Sequence, residues 1–275
     1  MAAMELSTVL AERTEIGAYA DFAGGAPADL RDRLGVRELT VGSARALAVD
    51  ADSSGFLNRA GGFGGDTPVT QDRVAAVCDF FRAAGVAVGS IMIAPSELPD
   101  SWPEIAAELA LTEGARYVKL GCAVDDVVAD APTDDSVRVG PVDAAQAVDW
   151  ATTMITTFEL PEAMIPVAAD FVGRPPWRTF GAWSGDRVIA TGSLFVNGEY
   201  ANMFGGATHP DFRRLGAQSA LLVARARAAK AAGCRYLVAE TGAESPGAHN
   251  TSLHNMQRQG FRPLYTRTSW VWRAA

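Results

Sequence analysis

Apolar positions along this chain alternate between two periods. Ala217, Leu221, Ala224, Ala228 and Ala231 recur at alternating spacings of four and three, the stripe of one helix face. Arg227 and Lys230 fall outside it. Gly233 follows the last turn, where a left-handed C-terminal cap suits glycine. Just upstream, Met203 to Thr208 is a small apolar run that can end a strand. Pro210 stops the ladder there, because it has no N–H to donate. The stretch 203–222 therefore reads as strand end, tight basic turn and helix start.

The same reading orders the rest of the chain. Residues 1–34 read as helical, with a break at Phe22-Ala23-Gly24-Gly25-Ala26-Pro27. Ala44 to Asp52 reads as a strand, 53–55 as a turn and Phe56 to Phe63 as its partner. Thr70 can cap a helix over Gln71 to Ala84, which carries Val74, Val77, Cys78 and Phe81 on one face. Val86 to Ala94 is continuously apolar, the pattern of a strand buried on both faces. A helix over Trp102 to Gly114 and a strand over Arg116 to Val124 follow. The acidic, proline-containing stretch 125–135 has no period and reads as a linker.

Beyond it come a short strand, 136–140, and a helix over Ala144 to Phe158 capped by Asp143. A second helix, Pro161 to Val172, is interrupted by Pro166. Arg178 to Trp183, Val188 to Val196 and Glu199 to Gly205 read as antiparallel strands. Ser184-Gly185-Asp186 and Asn197-Gly198 are the hairpin turns between them. The order strand, turn, helix, glycine, strand, loop, helix, glycine, strand describes both 44–124 and 187–273, with little residue identity between the two.

Composition narrows the function classes. The chain has 275 residues, 48% hydrophobic and 20% charged, with a net charge of −8. That describes a globular protein with room for two domains, and it argues against general nucleic-acid binding. The 3 Cys, Cys78, Cys122 and Cys234, lie apart in apolar segments, which suits buried thiols in a reducing compartment. No Cys/His spacing resembles a zinc site. His249 and His254 read as helix-surface histidines, so no metal is expected. Glu5, Glu12 and Glu15 interrupt any leader pattern, and no apolar run is long enough to span a membrane. A cytoplasmic protein without a membrane or nucleic-acid partner is expected; a homodimer is compatible with the sequence. The glycine cluster Gly61, Gly62, Gly64, Gly65 lacks a basic residue and runs into Asp66. It reads as a flexible connection rather than a phosphate loop.

Candidate chemistry sits at the front of the 217–231 helix. First-turn N–H groups lack intrahelical partners and lie at the positive end of the helix dipole. Gly216 has no side chain, so a ligand could approach the backbone there. Arg213 and Arg214 add guanidinium forks that suit phosphate oxygens. Together they form a pyrophosphate cradle. An ordinary basic turn before a surface helix would share this local pattern.

The stretch resembles the acetyl-CoA loop of the GNAT N-acetyltransferase superfamily, at Arg213, Gly216 and Gln218. Gln218 stands where the family has a small residue. The resemblance continues through 235–241, similar to the next strand, and from Asn250 to Gly260-Phe261, similar to the next helix. It covers roughly 136–275. It implies an α/β (α+β) fold of two GNAT-like domains, each a mixed, partly antiparallel sheet flanked by helices. Residues 1–130 would be a degenerate half without the cradle, and 136–275 the catalytic domain. The implied co-substrate is acetyl-CoA, contacted by Ala207, Thr208, Arg213, Arg214, Leu215, Gly216, Ala217, Gln218, Ser219, Asn250 and Asn255. The implied reaction moves an acetyl group to an amine of a small-molecule or peptide acceptor. A non-catalytic CoA- or small-molecule-binding protein is the alternative.

An ammonium acceptor must lose a proton before attack. Glu240 ends the strand beside the cradle strand and is the first candidate base. Glu199, at the start of the cradle strand, is the second. Asn250 can cap its helix or meet the pantetheine arm, and Asn255 offers a second amide. The tyrosine that the family often uses to protonate the leaving thiolate is replaced by Met256.

Overall fold

The computed structural model describes residues 6–128 and 130–274. Glu5, the first five residues of the expected N-terminal helix and Ala129 of the expected linker lie outside them. The chain forms two compact units, and these are not the two linear halves 1–130 and 136–275. Among the described residues, one unit joins Ser7–Lys119 with the stretch 265–274. The other holds Leu120–Leu264, together with Leu6 among the described residues.

In the first unit, α1 (Thr8–Gly24) and α2 (Ala28–Leu34) break at Gly25–Pro27, as the sequence predicts. β1 (Val36–Val41), which the pattern did not reveal, pairs antiparallel with β2 (Ala44–Val49). The expected strand over 56–63 shrinks to β3 (Arg59–Gly61), which lies antiparallel to β2 and parallel to β4 (Val88–Met92). Between β3 and β4 runs α3 (Gln71–Ala84). The expected helix over 102–114 stops early as α4 (Trp102–Glu108), and β5 begins at Thr112.

β11 (Arg262–Arg273) pairs antiparallel with β4, setting Trp270 opposite Ile91 and Trp272 opposite Gly89. That ladder is what carries the C-terminal residues into this unit. The core gathers Val74, Val77, Phe81, Ile91, Trp102 and Trp272. Elsewhere in this unit, against α1, sits a buried charged cluster. Glu12 and Glu15 of α1 meet Lys119 of β5 and Arg267 of β11, all at most 4% exposed. The Tyr265 hydroxyl donates to Glu12 at 2.6 Å.

In the second unit the strand order is β5, β10, β9, β8, β7, β6, with β5 entering as Leu120–Ala123. β6 (Val137–Pro141), β7 (Trp177–Ser184), β8 (Arg187–Asn197) and β9 (Tyr200–Thr208) are antiparallel neighbours. β10 (Tyr236–Gly242) is parallel to β9. The helices α5 (Ala147–Thr157) and α6 (Ile165–Asp170) lie on one face, and α7 (Ala217–Ala231) lies on the other. The faces can be told apart at adjacent glycines: a Cβ on Gly205 would meet Met154 of α5, while one on Gly206 would face Arg225 of α7. An aromatic set fixes α5. Trp150 donates to the Phe180 carbonyl at 2.8 Å, and Phe171 packs on Trp177 at 4.6 Å. Pro166 falls in the first turn of α6, and a 3-10 turn at Glu162–Met164 precedes it. The expected single helix is therefore split, because proline is tolerated only at a helix start.

The expected linker is fastened to this second unit. Val128 N–H donates to the Gln259 carbonyl at 3.2 Å, and Asp134 N–H to the Leu215 carbonyl at 3.1 Å. Among the described residues no helix is long and apolar enough to cross a membrane.

Candidate functional site

β9 and β10 pair only at 200–202 with 236–238. Beyond that the parallel strands separate, although β9 continues to Thr208 and β10 to Gly242. On its other side β9 carries a bulge: Thr191 faces Ala207 and Ser193 faces Phe204, so Gly192 stands against both Gly205 and Gly206. Gly205 takes φ +61°, a conformation glycine adopts without strain. The bulge turns the end of β9 toward a cleft of about 1160 Å³. Its walls are the β9 end at 206–208, the loop and first turn of α7, the start of α8 (Thr251–Arg258), and Thr157 and Phe158 at the end of α5.

The cleft is electropositive. Arg213, Arg214 and Arg258 line it, together with His249, and none of its lining residues is a carboxylate. Arg213 and Arg214 are exposed, and neither guanidinium has a protein partner among the described residues. In a chain of net charge −8, such a local patch focuses attraction on an anionic ligand.

The two crossover helices start differently. α3 is capped by the Thr70 hydroxyl, which accepts from Arg73 N–H, and carries Asp72 in its first turn. α7 begins on Gly216 with no side-chain cap and no acid in its first turn. Its first intrahelical bond runs from Ala220 N–H to the Gly216 carbonyl. The N–H groups of Ala217, Gln218 and Ser219 therefore have no intrahelical acceptor, and these three residues line the cleft. The glycine cluster of the other unit is closed by its own chain: Gly65 N–H donates to the Glu97 carboxylate at 2.9 Å.

The glycine at 216 is required for a reason the sequence did not show. Its φ is +79°, and a Cβ there would sit 2.3 Å from the Pro132 carbonyl oxygen. The space a Cβ would take is thus filled by Pro132 and Thr133, while Gly216 itself lines the cleft. Leu215 turns inward and packs with Phe212 against Ala182, Ile189, Ala190, Ala217 and Leu221. That anchors the loop while Arg213 and Arg214 stay outside.

Gln218 does not obstruct the cradle. Its Nε2 donates to the Ser252 hydroxyl at 2.9 Å, and its Oε1 accepts from Asn255. The side chain laces α7 to α8 and leaves the backbone N–H open. Asn255 also accepts from Arg258, so its amide serves the same lacing. Asn250 is fully occupied. Its Oδ1 caps Ser252 and Leu253, and its Nδ2 donates to the Thr241 hydroxyl at 3.0 Å and the Gly242 carbonyl at 2.7 Å. Both asparagines line the cleft as positioning groups, with their amides engaged inside the protein.

The candidate bases part company. Glu199 pairs with Arg235 at 3.3 Å, both exposed, at the opposite end of β9 from the cleft. It has no route to the cleft chemistry, because the nine residues of β9 intervene at a rise of about 3.3 Å each. Glu240 is half-buried near the end of β10. Thr241 points toward α8, as its bond to Asn250 shows. Strand alternation therefore turns Glu240 to the face that α5 covers. Its carboxylate is not part of the cleft lining. Met256 is buried in α8 and offers no proton.

A feature absent from the sequence reading lies at the cleft lip. Glu244 Oε1 accepts from Asn250 N–H at 2.6 Å and lies 2.9 Å from His254 Nε2 and 3.5 Å from His249 Nδ1. The Asn250 N–H bond, more than the histidines, holds the Glu244 carboxyl below the usual carboxylate range. The donor atoms of these three side chains lie within 4.8 Å of one another. The imidazoles stack at 4.4 Å, 11° from parallel, so one ion cannot lie in both ring planes. The cluster is a hydrogen-bonded clasp on the 243–250 loop. Nothing periodic in that loop announced it, nor Phe158 and Arg258 as cleft residues.

The sequence model of the acetyltransferase (GNAT) family matches residues 145–261. No curated protein matches the chain. Among solved structures, a GCN5-related N-acetyltransferase from Kribbella flavida is similar at 17% identity and a TM-score of 0.65, over 90% of this chain and 95% of that one. A tandem GNAT protein from the clavulanic acid biosynthesis pathway is similar at 14% identity and a TM-score of 0.59, over 100% of this chain and 97% of that one. A GCN5-related N-acetyltransferase from Sphaerobacter thermophilus shares 11% identity at a TM-score of 0.59, over 97% and 94%. Residues 145–261 match the acetyltransferase (GNAT) family model, and the chain has the fold of a tandem GNAT protein.

Proposed function

We propose that this protein transfers an acetyl group from acetyl-CoA to the amine of a small-molecule or peptide acceptor. The observation that carries the reading is the unpartnered cationic cradle: two free guanidinium groups beside three helix N–H groups, opening on the separated ends of β9 and β10. CoA brings a diphosphate that suits this donor set. Backbone N–H groups near Ala207 and Thr208 would hold the thioester carbonyl as charge develops.

The acceptor nitrogen attacks the thioester carbonyl carbon. A C–N bond forms, the C–S bond breaks, and CoA leaves as thiolate. The proton lost by the amine passes through water to Glu240, which stands near the end of β10, beside the cradle strand and outside the cleft lining. The thiolate takes a proton from solvent, since Met256 supplies none. Holding both reactants in one cleft supplies much of the gain, roughly 7–11 kcal/mol in favourable cases.

The test is an amine panel with acetyl-CoA, read as free CoA release by purified protein. Acceptor-dependent release is expected. Glu240→Gln should slow it at pH 7 and recover part of the rate at high pH, where the amine deprotonates itself. Tight CoA binding with no release on any amine favours a CoA-binding protein without turnover.

A further inference from the structure

We infer that Arg225 is a positioning residue that places a buried positive charge beneath the acyl end of the cleft. The inference rests on the acyl-CoA reading above. Arg225 stands on the inner face of α7 and is only 3% exposed. It makes no ion pair among the described residues. Its Nε donates to the Leu221 carbonyl at 3.1 Å and its Nη1 to the Ser193 carbonyl at 3.3 Å. Burial lowers its pKa to about 10, so it keeps its charge at neutral pH.

Its surroundings are shaped to admit it. The guanidinium lies against the bulge of β8 and β9. A Cβ on Gly192 would sit 2.9 Å from Cζ, and a Cβ on Gly206 would sit 3.7 Å from Nη2. Gly206 and Ala207 form the cleft wall immediately above. A cation buried without a carboxylate carries a desolvation penalty that two carbonyl bonds offset only in part. A hydrophobic side chain would fill the same helix position without that penalty. The charge acquires a use once a carbonyl oxygen becomes negative on the far side of Gly206 and Ala207. A fixed cation in a water-poor setting stabilises that charge without reorganisation.

The test uses the full chain and [1-13C]acetyl-CoA. Isotope-edited infrared spectra give the carbonyl stretch of the bound thioester, and calorimetry gives its affinity. The parent should lower the stretch relative to free acetyl-CoA. Arg225→Met should return most of that shift while binding within about threefold of the parent. Arg225→Lys, which keeps the charge, should retain most of it. With an active acceptor, Arg225→Met should lower kcat roughly 10-fold or more with little change in KM. Arg225→Gln is the second neutral variant if Arg225→Met does not fold. An unchanged stretch in a folded neutral variant overturns the role of Arg225 alone. Failure of the parent to bind acetyl-CoA overturns both this inference and the acyl-CoA reading.

Discussion

Replacing Gly216 with alanine perturbs the loop on which the cradle depends. Gly216 has φ +79°, and a left-handed backbone costs a non-glycine residue about 1–2 kcal/mol. The new Cβ would also lie 2.3 Å from the Pro132 carbonyl oxygen and 2.9 Å from the Thr133 Cα. Both are backbone atoms, so no side-chain rotation relieves the contact. The 132–134 segment must move, and with it the bond from Asp134 N–H to the Leu215 carbonyl, worth about 0.5–1.5 kcal/mol. The sum is about 2–3 kcal/mol. With a urea slope of about 2 kcal/mol per molar, the unfolding midpoint should fall by about 1 M. Urea-dependent hydrogen exchange on peptides from α7 reads this unit alone. Arg214, at φ +70°, supplies the opposite sign: Arg214→Gly should add up to about 1 kcal/mol, raising the midpoint by up to about 0.5 M. An unchanged midpoint for Gly216→Ala would refute the left-handed, backed-up loop described above.

In the other unit, Lys119→Met should cost about 3–5 kcal/mol, because it leaves the Glu12 and Glu15 carboxylates in the core with Arg267 as their remaining cation. Adding Glu15→Gln should recover part of that loss in urea unfolding; a double variant no better than the sum of the singles would contradict the network. At the cleft lip, the folded pKa of Glu244 is depressed. Its support for the 243–250 loop is therefore present above the ordinary carboxylate pKa, about 4.3, and lost as pH falls through the lower folded value. The Asn250 amide shift should titrate with a midpoint below that ordinary value, and the titration should vanish in Glu244→Gln.

What could be read from residues alone was local. Pro210, Gly216 and the alanine stripe located the turn and helix of the cradle, and Asn197-Gly198 located a hairpin. These depend on backbone chemistry within a few residues. The pairing of β11 with β4 was not legible, because partner choice in a sheet is decided by contacts across most of the chain. The same limit hid the buried cluster of Glu12, Glu15, Lys119 and Arg267, whose members stand far apart in sequence. The departure of Gln218 from the family pattern was visible locally, whereas its partners Ser252 and Asn255, on another helix, were not. Glu240 ranked above Glu199 from strand direction alone, and the position of Glu199 at the far end of β9 agrees with that order.

The proposed function requires that one cleft, built around Arg213, Arg214 and the start of α7, binds acetyl-CoA. Calorimetric titration of acetyl-CoA into the full chain tests it most directly, with the parent compared against Arg213→Ala combined with Arg214→Ala. One site per chain is expected, with affinity falling at least about 10-fold in the double variant and weakening with salt as charge contacts do. Two equivalent sites, no binding by the parent, or equal affinity in the double variant would contradict it.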